Sequence, residues 1–150
     1  MTAYSLLKLV HVLAAIVAVG TNVTYFVWLR RVQNDAEHDA FVLEGLQALD
    51  RRLANPAYIL LPLTGIVMVL VGDLGFTTFW IVTAIVLYVA MAAFAGVFFA
   101  PSLRRQLELA QADGPQTTSY ADAARRTTVT GGITMALIAA ILYLMVIKPG

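Results

Sequence analysis

The chain has 150 residues, 60% hydrophobic and 13% charged, with a mean hydropathy of +0.80 and a net charge of +1. A soluble domain carries about a quarter of its residues as charged side chains, so this composition is that of a single-domain integral membrane protein and gives no case for a nucleic-acid partner. The absence of cysteine excludes disulfides, thiolate-bound metal, iron–sulfur clusters and dithiol redox chemistry.

Four apolar stretches are each near the ~20 residues that cross a ~30 Å hydrocarbon core. The first spans residues 4–29. It outlasts the ~7–15-residue core of a cleaved signal and ends at Arg30-Arg31, so it is read as a retained span. The second spans 56–71, with Asn55 as its expected N-cap and Pro56 at the first helical position. The short turn 72–78 then predicts an antiparallel hairpin with the third span, 78–100, which is expected to stop or kink at Pro101. The fourth spans 129–147. Lipid leaves no partner for a free backbone group, and the stretches are too long and unalternating for barrel strands, so all four are expected to be helices. The fold class is therefore all-α, a four-helix transmembrane bundle.

The two longer connections carry helical patterns of their own. Asn34-Asp35-Ala36-Glu37 resembles a capping box, followed by Val42, Leu46, Leu49 and Leu53 on one face. The second connection places Leu103, Leu107 and Ala110 together, breaks at Asp113-Gly114-Pro115 and restarts at Ser119. Both predict short helices at the membrane surface. Eight of the ten basic residues lie here as four pairs, Arg30-Arg31, Arg51-Arg52, Arg104-Arg105 and Arg125-Arg126. The positive-inside rule puts both connections in the cytoplasm and both termini outside. The pairs recur at an offset of 74 residues, as two like-oriented helical hairpins would give.

The first span holds the chemistry. Tyr4, Lys8, His11, Ala15, Ala18, Asn22 and Tyr25 follow one another in steps of three and four, a stripe expected to face away from lipid. Three roles are open for His11. It can hydrogen-bond a neighbouring helix, at Thr64 or Tyr143, to fix register. It can bind haem iron or copper, with Met68 or Met145 at similar depth, or a second copy's His11, as partner. It can relay protons with Lys8 and Tyr4. Ala92, Gly96 and Ala100, and likewise Gly132, Ala136 and Ala140, form small-residue faces that favour close helix contact within the bundle or a dimer. Asp73 is read as a solvated turn residue, and Trp28, Tyr25, Tyr58, Phe79 and Trp80 as interfacial belts.

The pattern Leu7-Lys8-x-x-His11-x-x-Ala14-Ala15-x-x-x-x-Gly20, followed by the double arginine, together with Asp50-Arg51-Arg52 and the run NPAYILLPLTG (55–65), resembles a bacterial family of four-helix predicted integral membrane proteins of unknown function. The resemblance is strongest over residues 6–70. Through the Lys/His first helix it is distantly similar to the copper-resistance protein D type and to the haem-carrying protoporphyrinogen oxidase of bacterial membranes. The latter implies haem b at His11. The expected protein is thus a multi-pass inner-membrane protein, dimeric or part of a larger complex, whose first helix presents a cofactor. The alternatives are a small permease or metal-handling protein using Lys8, His11 and Asn22, and a non-catalytic accessory subunit.

Overall fold

The computed structural model describes residues 2–32, 38–72, 74–112, 114 and 116–149. All regular structure among them is helical. There are four long helices: α1 (Ala3–Val32), α2 (Asp39–Val71), α3 (Phe79–Ala112) and α4 (Thr118–Ile147). They contain 30, 33, 34 and 30 residues, or about 45–50 Å each at ~1.5 Å per residue. That exceeds the ~30 Å hydrocarbon core, so the excess projects beyond the membrane.

The surface helices expected in the connections are therefore not separate elements. Each is continuous with a span, and the joints are π-helical turns at Asp50–Ala54 in α2 and Ala95–Phe99 in α3. Each turn ends two residues before a proline, Pro56 or Pro101. A proline ring collides with the carbonyl four residues back and supplies no N–H, and the wider turn absorbs both defects without ending the helix. Asn55 is accordingly an interior helical residue rather than an N-cap, and Pro101 does not stop α3. The extra residue also rotates the buried face of α2. Leu53, expected inside, is 48% exposed, and Ala54 takes its place at 0%. The capping box at 34–37 and Asp73 lie outside the described residues. At the start of α4, the Thr117 hydroxyl caps the helix by accepting from the Tyr120 N–H at 3.2 Å.

α1 packs along α2, α3 along α4, and α1 and α4 meet between the two hairpins; beyond the membrane the start of α2 touches the end of α3. The arginine pairs on all four helices are exposed and mark one membrane face. The apolar core lies at and beyond this face, where Leu29, Leu43, Leu46, Phe99, Leu103 and Tyr120 are buried together. Water is there to drive that burial. Within the lipid layer it is not, and the helices meet through small or hydroxyl residues such as Ala14, Ala18, Ala57, Thr64, Ala84 and Thr134. Leu13, Ile16, Leu63, Val86 and Val89 point outward to lipid. Hydroxyls in the layer are satisfied locally: Thr21, Thr83 and Thr134 each donate to the carbonyl four residues back at 2.7–2.9 Å.

A polar seam between the first two helices

The inward stripe of α1 is Leu7, His11, Ala14, Ala18, Asn22, Tyr25 and Leu29, half-buried at the first two positions and buried at the rest. It steps slightly more widely than alternating threes and fours, because 3.6 residues per turn drifts against a 3.5 repeat. Lys8 is thereby left exposed at the margin, contrary to the expected inward stripe, while Tyr4 is half-buried with its ring against Gly72, where a Cβ would come within 2.8 Å of it. Gly72 is needed for that approach.

Opposite this stripe, α2 supplies a partner at each level. His11 Nδ1 lies 2.7 Å from the Thr64 hydroxyl oxygen, the pairing expected from the sequence; Tyr143, the other candidate, is 60% exposed. The Thr64 oxygen is also 2.7 Å from the Leu60 carbonyl and 3.1 Å from that of Leu61. Carbonyls only accept, so the single hydroxyl proton is committed to them, and Thr64 must accept from His11. The proton of a neutral His11 thus sits on Nδ1, which leaves the lone pair on Nε2. The ring lies against the α2 backbone at Gly65, where a Cβ would meet His11 Cε1 at an ordinary contact distance of 3.4 Å.

About three turns nearer the arginine face, the Asn22 amide donates to the Ala18 carbonyl at 2.8 Å and to the Tyr58 hydroxyl. The backbone carbonyl of Tyr58 accepts from the Tyr88 hydroxyl of α3. At the level of the first π turn, the Tyr25 hydroxyl donates to Asp50 at 3.1 Å, and the Asn55 amide reaches the same carboxylate at 3.4 Å. Tyr25 also stacks on Phe99, centroids 6.1 Å apart, so it is a core residue rather than part of an aromatic belt. A cavity of about 10 Å³, room for about one water, lies beside Asn22, Tyr25, Phe99, Thr128, Gly131 and Met135.

Met68 lies one helical turn from Thr64, on the same side of α2 and half-buried, and Met145 is half-buried near the end of α4. No described group of three or more His, Asp or Glu residues gathers to hold a metal ion. The seam draws together His11, Asn22 and Tyr25 with Thr64, Tyr58 and Asp50. Tyr88 and Phe99 have no periodic signal that would have singled them out in the sequence, and Asp50 stood out there only as part of the Asp50-Arg51-Arg52 pattern. Beyond the membrane a second polar group is buried: Asp39 and Gln106, each 1% exposed, with Tyr120. Gln106 donates to the Tyr120 hydroxyl at 3.0 Å, which lies beside the Asp39 carboxylate, while Gln106 Oε1 has no hydrogen-bond partner among the described residues. Burial pushes the Asp39 carboxyl above the usual carboxylate range.

The fold and the seam define a four-helix integral membrane protein of two hairpins, with its hydrogen-bonded polar groups held between helices and its aliphatic side chains turned to lipid. Residues 5–149 match the model of the family described as predicted integral membrane protein (DUF2269), and the chain belongs to that family. No curated protein and no solved structure matches it.

Proposed function

We propose that this is a bacterial inner-membrane protein, its arginine face in the cytoplasm, whose first helix binds haem b through His11 Nε2. The observation that supports this reading is the hydrogen bond from His11 to Thr64 at 2.7 Å, with the Thr64 proton already committed to the Leu60 carbonyl. A ligating imidazole needs one nitrogen unprotonated and the other fixed as a donor, and this pair of contacts provides both. The donor set fits haem iron in kind, since a neutral imidazole together with a thioether or a second imidazole would hold it. Met68 and Met145 are the candidates within the chain, and His11 of a second copy is the candidate in a homodimer. Lys8 is exposed one turn from His11 toward the other membrane face, where its ammonium would pair with a propionate. Bound haem would supply one-electron redox chemistry; the chain's part is to orient His11 and to keep water from it. The unpartnered face Gly132, Ala136 and Ala140 supports a dimer.

The test is an absorption spectrum of the detergent-purified protein from haem-replete cells, oxidised and then dithionite-reduced, beside His11→Ala. A Soret band that shifts on reduction and vanishes in the variant is the expected result. A colourless wild type overturns the reading and leaves His11 as the inter-helix tie that its bond to Thr64 already makes it.

A further inference from the structure

On the lipid-facing side of α3, the second π turn opens a groove of about 310 Å³ lined by Gly96, Ala100, Pro101, Arg104, Arg105 and Glu108. Its floor is unusual in two ways. The small-residue face, expected to pack on another helix, is exposed, and a Cβ built at Gly96 would meet nothing within 4 Å. The Gly96 carbonyl also has no helical donor: the Ala100 N–H turns to the Ala95 carbonyl, and Pro101 has no N–H to give.

The groove has two chemically different ends. From Gly96 to Arg104 it runs about 12 Å along the helix at ~1.5 Å per residue. Its membrane end is apolar, flanked by exposed Val97 and Phe98. Its other end carries two guanidinium groups, of which Arg105 faces Glu108 at 3.6 Å while Arg104 makes no described ion pair. A soluble anion would use only the arginine end. An acyl chain without charge would use only the floor.

We infer that this groove is a binding site for one anionic glycerophospholipid of the adjoining leaflet. Its phosphate sits on Arg104 and Arg105, and an acyl chain lies along Ala100 and Gly96. The site is independent of His11 and of any cofactor there.

The test is native mass spectrometry of the full chain released from detergent and titrated with phosphatidylglycerol, phosphatidylcholine or inorganic phosphate. The wild type is expected to retain one phosphatidylglycerol at least tenfold more readily than phosphatidylcholine, with millimolar phosphate unable to displace it. Gly96→Leu and Ala100→Leu, which fill the floor and leave both arginines, should lose that preference, as should Arg104→Ala with Arg105→Ala; circular dichroism confirms that each variant keeps its helix content. Equal retention of the two lipids overturns the proposal. So does undiminished phosphatidylglycerol binding in both leucine variants, which would mean diffuse attraction to the arginines, and so does displacement by phosphate, which would mean a soluble-anion site.

Discussion

The hydroxyl of Tyr88 donates to the backbone carbonyl of Tyr58, the carbonyl that Pro62 deprives of its helical partner four residues on. A proline inside a span is thereby tolerated by a side chain from another helix, and the bond ties α3 to the α1–α2 pair within the lipid layer, where apolar packing gives little drive.

Tyr88→Phe should cost about 1 kcal/mol of stability, the range of hydrogen bonds between membrane helices. Pro62→Ala restores an N–H to the Tyr58 carbonyl, so in that background Tyr88→Phe should cost close to nothing. Thermal unfolding of the four proteins in one detergent checks this. An equal loss in both backgrounds would show that the Tyr88 hydroxyl acts on a partner other than the Tyr58 carbonyl, because Tyr88→Phe leaves the ring in place.

Adjacent glycines on α4 should respond oppositely. A Cβ at Gly131 would meet Phe99 Cε2 at 3.1 Å, whereas one at Gly132 meets nothing. Gly131→Val should displace the Phe99 ring from Tyr25 and destabilise the bundle by about 1–3 kcal/mol, the usual cost of overpacking. Gly132→Ala should be neutral or gain up to about 1 kcal/mol from helix propensity. Melting temperatures of the two variants decide the matter.

Asp39 should make the bundle beyond the membrane less stable as pH rises. Its carboxyl is buried, and burial raises its folded pKa against the opposing pull of the Tyr120 hydroxyl. In the unfolded chain it ionises near ~3.9. Below that value both states hold the proton. Above it only the unfolded state loses it, so stability falls from about pH 4 up to the folded pKa. Asp39→Asn removes the ionisation and should flatten this part of the profile, with a gain of about 1 kcal/mol or more at neutral pH. Melting curves between pH 4 and 8 read the difference. A wild-type profile with the same slope as Asp39→Asn would mean that Asp39 finds a partner in solution.

If His11 holds haem, Thr64→Val should lower haem affinity about tenfold or more by releasing the imidazole orientation, as second-shell losses do, while His11→Ala abolishes binding. Haem titration followed at the Soret band separates the two. Unchanged affinity in Thr64→Val would mean that the bond to Thr64 does not orient the imidazole for haem.

The sequence by itself determined the class of fold. Four stretches of membrane length, four arginine pairs and the drift of apolar residues around each segment are local quantities, and lipid permits few backbone conformations for them. The partner of His11 was legible too, because an isolated polar group in a span must find another at its depth, and Thr64 is one of few. Tertiary structure alone decided the rest. Pro56 and Pro101, which read as a helix start and a stop or kink, are instead carried inside long helices by π turns, and the carbonyl freed by Pro62 is answered by the Tyr88 hydroxyl. One inserted residue then set Ala54 rather than Leu53 inside. Such outcomes depend on which neighbouring helix can answer a freed carbonyl or fill a rotated face, and that information lies dozens of residues away along the chain.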